Sequence, residues 1–154
     1  MERQKLSGLE MVRQHQQGFK AKPTMLETIP MRMTDVEYGS IEFKAFADEN
    51  HLNSMGGVHG GFTATVLDTA SAGAVQTVLK TGETYATIDL SVKMLKPVPL
   101  NTELIASGKV IKRSRHLGIS ESDLKDKQGC IYAHATATCM IMSQEKEVAG
   151  KIKQ

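Results

Sequence analysis

The chain has 154 residues, of which 40% are hydrophobic and 23% are charged. This balance is typical of a folded globular protein and unlike that of a disordered chain. The length predicts one domain over residues 1–154 that buries a core without a metal or a disulfide bond. A net charge of +2 and an aromatic content of 5% argue against the basic, aromatic-rich surface of a nucleic-acid binder, so no nucleic-acid partner is expected.

The first twenty residues are polar and lack the apolar stretch of a signal peptide, and no segment has the length and hydrophobicity of a membrane span. We therefore expect a cytoplasmic protein with no membrane partner. Cys130 and Cys139 are nine positions apart in an alternating segment, which places their side chains on opposite faces of one strand and prevents a bridge between them. Both are expected to be reduced and buried.

The first predicted element is a helix over about residues 3–19. Ser7 and Glu10 have the spacing of a capping box, and Gly18 is a stop signal. Three apolar residues at helical spacing predict that this helix packs against the body of the protein: Leu9, Val12 and Phe19.

Residues 31–47 alternate between apolar and polar side chains around Gly39, which predicts two strands. Residues 59–79 contain no Pro and are apolar on all faces, which predicts a long helix enclosed by protein. Four more alternating segments follow, at 86–94, 102–112, 117–126 and 130–143, with a hairpin turn at 127–129. This order predicts an α+β protein in which an antiparallel sheet wraps one central helix, with a core of about residues 29–143 and an extra N-terminal helix.

Asp68 is the residue most suggestive of chemistry. It lies near the middle of the predicted long helix among apolar residues, and Asp is rarely buried without a partner. A lone Asp in such a place is more often bonded to a neighbouring strand or to solvent than catalytic. Its interpretation therefore depends on what lies near it.

His59, Gly60 and Gly61 stand at the start of the same helix. Free backbone N–H groups and the positive end of the helix dipole can stabilise a negatively charged oxygen there, and glycines allow a carbonyl to approach closely. The alternative is structural: His59 caps the helix, and the glycines form a tight turn with permissive dihedral angles.

The spacing of these residues favours a site shared between two chains. His59 and Asp68 are nine positions apart, about 13.5 Å along a helix and on opposite sides of it. One chain cannot bring both to one small substrate, whereas two antiparallel copies of the helix can. A site of this kind needs at least a dimer.

The segment NSMGGVHGGFTATVLD, residues 53–68, resembles the signature of hotdog-fold acyl-CoA thioesterases of the phenylacetate-pathway type and of the related mammalian thioesterase superfamily members. The resemblance continues through ATIDL at 86–90, the Lys96-Pro97 pair and Gly129, and covers about residues 31–142. It implies a hotdog fold and hydrolysis of acyl-CoA to a carboxylic acid and free CoA.

The resemblance also implies roles for individual residues. The backbone N–H of Gly60, after the motif residue His59, would polarise the thioester carbonyl, and Asn53 would hold the turn or the water. Asp68 of the opposite subunit would act as nucleophile or general base, a question that the resemblance leaves open, and Thr87 would position water. A carboxylate desolvated between two helices is well suited to either role.

A basic segment lies at the end of the fourth predicted strand: Lys109, Lys112, Arg113, Arg115 and His116. The resemblance implies CoA phosphates as its target, with Lys112, Arg113 and Arg115 as substrate-binding residues together with Gly61. Charged strand ends are about as often simply solvated, and Lys also blocks edge pairing.

The other histidines lack metal-ligand spacing and are interpreted as surface or strand polar residues: His15, His51, His116 and His134. We therefore expect no metal and no cofactor, since CoA is part of the substrate. The expected partners are acyl-CoA and further copies of the chain, as a dimer or a dimer of dimers.

Three other functions stay open. A regulatory hotdog protein would bind acyl-CoA without hydrolysing it, although few residues precede residue 31 for the added DNA-binding segment of such regulators. A hotdog dehydratase would place its catalytic His differently, and an oligomer with a degenerate site would lack turnover. The sequence does not select the acyl group, because five methionines suit either an aryl or an alkyl pocket: Met25, Met31, Met33, Met55 and Met94.

Overall fold

The computed structural model of the protein describes residues 6–19, 21 and 23–143. The helices are α1 (Gly8–Gln16), α2 (Met25–Thr28) and α3 (Gly60–Thr77), and a 3-10 turn covers Glu49–His51. The strands are β1 (Met31–Glu37), β2 (Ser40–Phe46), β3 (Glu83–Met94), β4 (Glu103–Arg113), β5 (Leu117–Lys125) and β6 (Ile131–Ser143). The predicted α+β class and the order of the long helix and the strands are confirmed.

The six strands form one antiparallel sheet in the order β1-β2-β4-β5-β6-β3. Helix α3 packs against five of these strands, β2 to β6, and contacts β1 at the sheet margin. The sheet therefore wraps the long central helix, which is the hotdog arrangement. Strand β3 lies at one margin of the sheet and pairs only with β6 among the described strands.

Helix α3 has apolar residues on almost every side because it is enclosed by the sheet. Val66, Leu67 and Ala70 are fully buried. The backbone of β4 meets the helix directly at Gly108, where an added Cβ would lie 2.0 Å from the Ala70 carbonyl oxygen. The absence of a side chain at Gly108 thus sets the distance between helix and sheet.

Helix α1 begins with the predicted capping box, in which Ser7 Oγ accepts from the Glu10 N–H. It packs on the end of α3, where the Gly8 N–H donates to the Leu79 carbonyl at 3.0 Å. The helix is shorter than predicted and ends at Gln16. Phe19 lies beyond it and is 75% exposed, so its expected packing role is wrong, and residues 3–5 lie outside the described part.

Each predicted strand is present, with ends shifted by a few residues. The predicted hairpin turn is also present: Gly129 has φ +86°, and its N–H donates to the Asp126 carbonyl at 3.1 Å. The short helix α2 was not predicted, because its four residues carry no helical periodicity. The polar tail after Ser143 lies outside the described residues.

The two cysteines form no disulfide. Cys139 is buried as expected, but Cys130 is partly exposed, because it precedes β6 instead of lying within its buried face. Among the described helices, none has the combination of length and hydrophobicity needed to cross a bilayer.

Candidate active site

His59 positions the start of α3. Its backbone is extended, and its Nδ1 accepts from the Gly61 N–H at 2.7 Å, which makes it the helix N-cap. The Phe62 N–H donates to the His59 carbonyl at 3.0 Å. No described residue accepts from the Gly60 N–H. The capping interaction therefore leaves one backbone donor of the first helical turn free.

The two glycines are not required for a turn with permissive dihedrals, since neither Gly60 nor Gly61 has a positive φ. A Cβ at Gly61 would lie 2.9 Å from His59 Nδ1, so glycine there makes room for the cap. A Cβ at Gly60 would meet the Met94 side-chain methyl at 3.3 Å. Close approach to His59 thus explains the glycine at position 61, whereas Gly60 is exposed and a Cβ there would contact only a flexible side-chain end.

Asn53 holds the loop that precedes α3. Its Oδ1 accepts from the Met55 N–H at 2.9 Å and from the Gly57 N–H at 3.1 Å. Its own N–H donates to the Gly57 carbonyl at 2.7 Å, and Gly56 takes φ +82° within this loop. Asn53 was expected to hold either the turn or a water, and these hydrogen bonds are the ones that hold the turn.

Asp68 lies on one side of α3 and is partly exposed. Its Oδ1 accepts from the Thr87 hydroxyl at 3.1 Å. The other carboxylate oxygen receives no hydrogen bond from the described residues. Thr87 on β3 thus orients Asp68 while leaving one oxygen available to a water or a substrate.

The register of β3 brings Thr87 to this place. Thr87 pairs with Cys139 on β6, and the register shifts between Thr87 and Asp89, so Ile88 is the additional residue of a bulge. Bulges turn side chains and are common beside active sites. Tyr85 and Cys139 lie close to Asp68, and the sequence had not indicated either as a site residue.

Burial raises the pKa of Tyr85 to about 12, and the charges of Cys139 and Asp68 add to this effect. The phenol of Tyr85 therefore stays protonated at physiological pH and can only act as a neutral group. Tyr85 is the third residue of β3, and it lines the same cavity as Asp68, together with Thr87 two positions later. The sequence signal that points to both is their alternation on one face of β3.

Asp68 opens into a cavity of about 530 Å³. The wall opposite Asp68 comes from α1, the segment around α2, and the first two strands, and its side chains are largely apolar: Val12, Met25, Leu26, Met31, Met33, Ile41 and Phe43. Three of the five methionines named from the sequence therefore line it. Met94 lines a different depression, and Met55 is 93% exposed.

Gly60 does not share this cavity. It lines a separate, shallower depression of about 320 Å³ with Val58, Thr63 and residues 94–98, which include the end of β3 and the segment after it. The residues lining the Asp68 cavity do not include Gly60, and those lining the Gly60 depression do not include Asp68. Within one chain the two groups face different openings.

The basic residues differ in their surroundings. Lys112 and Arg115 are exposed, whereas Arg113 Nη2 donates to both carboxylate oxygens of Glu83, at 2.7 and 2.6 Å. The Arg113 and Glu83 side chains are 20% and 16% exposed. The guanidinium of Arg113 is thus engaged within the chain, in contrast to its two neighbours.

Two histidines differ from their interpretation as surface or strand residues. His51 is buried, with Nδ1 accepting from the Asp48 N–H and Nε2 bonded to the Thr28 carbonyl, both at 3.0 Å. His15 lies on α1, where its ring lines the Asp68 cavity. His134 pairs with Asp123 on the outer side of the sheet. Within the described residues, no cluster of three or more His, Cys, Asp or Glu side chains has a metal-binding arrangement.

The long helix enclosed by an antiparallel sheet is the fold of the hotdog thioesterase class, and in this chain it presents the Asp68 carboxylate and a free N–H at the helix start. A sequence profile described as the thioesterase superfamily matches residues 55–133. This match covers half of the chain, and the protein belongs to that superfamily.

Individual relatives support this assignment to the thioesterase superfamily. Acyl-coenzyme A thioesterase 13 of Mus musculus is 28% identical over 80 residues, which are 52% of this chain and 56% of the mouse protein. The match thus spans little more than half the length of that relative. A phenylacetic acid degradation-related putative thioesterase from Ralstonia eutropha superposes with a TM-score of 0.76 at 28% identity, covering 83% of this chain and 97% of the other. A hypothetical thioesterase from Streptococcus pneumoniae, solved with coenzyme A, shares the fold with a TM-score of 0.68 at 23% identity, covering 74% and 90%.

Proposed function

We propose that the protein hydrolyses acyl-CoA thioesters to a carboxylic acid and free CoA. The observation that carries this proposal is the setting of Asp68 on the central helix. One oxygen of its carboxylate accepts from Thr87, and the carboxylate lines a largely apolar cavity of about 530 Å³. The superfamily match, the name of the mouse relative, and the coenzyme A in the Streptococcus pneumoniae neighbour support the same reaction.

In the proposed reaction, the free Gly60 N–H donates to the thioester carbonyl oxygen, where negative charge develops in the tetrahedral intermediate. In one route Asp68 takes a proton from water as the new C–O bond forms. The C–S bond then breaks, and the CoA sulfur receives the proton from Asp68. In the other route Asp68 attacks the carbonyl carbon itself, and the C–S bond breaks with loss of the CoA thiolate to leave an acyl-carboxylate anhydride. Water then hydrolyses the anhydride to the carboxylic acid and free Asp68, and a proton from this water passes to the thiolate. In ¹⁸O-water, a single turnover can place the label in Asp68 only in the second route, where water attacks the Asp68 carbonyl of the anhydride.

The proposed site is shared between two chains. Gly60 and Asp68 face separate openings of one chain, so a second copy must supply the missing group. Strand β3 offers a surface for this contact, because twelve residues at the sheet margin pair only with β6 among the described strands and Ile88 and Met94 are more than half exposed there. Such strand edges favour pairing with another chain. A dimer or a dimer of dimers satisfies this requirement.

The acyl group would enter the Asp68 cavity, whose apolar wall suits a hydrocarbon or aryl substituent. The CoA phosphates would contact Lys112 and Arg115, which are exposed. Arg113 is paired with Glu83 and would affect phosphate binding only indirectly. The proposed reaction uses no metal and no cofactor. We also propose that the protein is cytoplasmic, where the two unbridged cysteines would remain thiols.

The test is free-thiol release from a panel of aryl-CoA and of short, medium and long acyl-CoA substrates, with the wild type and Asp68→Asn side by side. Asn keeps the size of Asp and can still accept from Thr87, but it is neither a base nor a nucleophile. We expect kcat to fall by at least about a hundredfold with the oligomer still folded. A wild-type protein that releases no thiol, but binds acyl-CoA in calorimetry, would instead identify a binding protein.

A further inference from the structure

Thr87 contacts two groups at once. Its Oγ1 lies 3.1 Å from Asp68 Oδ1 and 3.8 Å from Cys139 Sγ. The second contact follows from the register, because Thr87 and Cys139 are paired residues of β3 and β6. Asp68, Thr87 and Cys139 thus form a linear chain from the central helix into the buried face of the sheet.

The donors and acceptors of this chain have one consistent order. A carboxylate only accepts hydrogen bonds, and a threonine hydroxyl has a single proton to donate. When Asp68 is ionised, the Thr87 proton is directed to Asp68 Oδ1. The remaining lone pairs of Thr87 Oγ1 can then only accept, so Cys139 must be the donor through its S–H group.

The surroundings of Cys139 favour this order. Its side chain is fully buried with Ala72 and Val75 of α3 and packs against Tyr85 and Val110. Thr87 is the hydrogen-bonding partner of Cys139 Sγ among the described residues. Burial raises the pKa of the Cys139 thiol and outweighs the contact with Thr87, which lowers it, and the charge of Asp68 adds to the increase. The thiol therefore keeps the proton that it donates.

We propose that Cys139 is a positioning residue whose S–H group orients the Thr87 hydroxyl toward Asp68. This inference rests on the proposed hydrolysis, in which Asp68 drives the attack. Without the S–H donor, the Thr87 hydroxyl has one fewer partner and spends less time directed at the carboxylate. Cys139 acts on the reaction through Thr87 and does not touch the substrate.

Kinetics of two variants test the proposal. Cys139→Val removes the donor at similar volume, and Cys139→Ser keeps a donor. We expect Cys139→Val to lower kcat about fivefold, the effect of one net hydrogen bond, with KM little changed, and Cys139→Ser to keep most of the wild-type kcat. In a Thr87→Val background, Cys139→Val should lower kcat no further. Equal losses in both Cys139 variants, or additive losses with Thr87→Val, would overturn the proposal.

Infrared spectroscopy gives a second readout that needs no turnover. The chain has two cysteines, so a Cys130→Ser background leaves Cys139 as the only thiol, and the Cys130→Ser protein itself is the control for folding. We expect the S–H stretching band to move to higher frequency when Thr87→Val removes the acceptor. An unchanged band would show that the S–H group does not donate to Thr87, even if thioester hydrolysis is established. Conversely, a shifted band in a protein without turnover would leave the bond intact and reject only the hydrolysis.

Discussion

At the scale of single residues, the Gly60 N–H can be removed with little disturbance of the backbone. Gly60 is the first residue of α3, where Pro is tolerated, and His59 before it has the extended backbone, ψ 136°, that precedes Pro. We expect Gly60→Pro to lower kcat by about 10² to 10³ through loss of the oxyanion donor.

Gly60→Ala is the matched control for Gly60→Pro. It adds a Cβ toward the same Met94 methyl, 3.3 Å away, but it keeps the N–H. Thiol release by both variants, with circular dichroism to verify folding, distinguishes the donor from the added volume. Similar kcat values for Gly60→Pro and Gly60→Ala would show that the Gly60 N–H does not stabilise the oxyanion.

At the scale of elements, an ion pair joins two strands that are not neighbours in the sheet. Glu83 is the first residue of β3 and Arg113 the last of β4. Burial opposes ionisation of Glu83, but the Lys80 N–H and the Arg113 guanidinium together outweigh it and hold the Glu83 pKa below its usual 4.5. A lowered carboxylate pKa stabilises the fold above the unfolded-state value and loses this contribution as the pH falls through the folded-state value.

We therefore expect Glu83→Gln to lower the free energy of unfolding by about 2 kcal/mol at pH 7. The difference from the wild type should shrink as the pH falls below 4.5. Urea unfolding at a series of pH values measures this. Glu103→Gln is the control, because the Lys44–Glu103 pair at 2.9 Å is more than a third exposed and such pairs contribute little. A pH-independent difference for Glu83→Gln would contradict an electrostatic origin.

At the scale of the whole molecule, the proposed shared site makes a prediction about hybrids. In a dimer of Asp68→Asn with Gly60→Pro, one of the two sites carries both substitutions and the other carries neither. Mixing the two inactive proteins should therefore restore activity, up to about half of the wild-type value per hybrid dimer. The measurement is thiol release after subunit exchange, with exchange verified by native mass spectrometry of tagged chains. Proven exchange without recovery would show that Gly60 and Asp68 do not act on the same substrate across two chains.

Much of the fold could be predicted because it depends on local patterns. The apolar run without Pro predicted α3, alternation predicted each strand, and the capping box predicted the start of α1. The extent of α1 was predicted less well, since Phe19 continues the apolar spacing but falls after the helix has ended at Gln16. Periodicity indicates which faces of an element are apolar, but it does not indicate where packing against another element ends.

The sequence by itself determined the central helix, the strands around it, and the candidate pair Gly60 and Asp68 at its start and middle, because spacing along one helix sets their separation. Only the tertiary structure decided what surrounds Asp68. Thr87 and Cys139 reach it through the β3–β6 register and the bulge at Ile88, and the opposite wall of the cavity comes from α1 and the first strands. The same holds for the pairing of Arg113 with Glu83 and the burial of His51. These contacts join residues distant in the chain, and strand register is set by the packing of the whole sheet on the helix, which no local pattern contains.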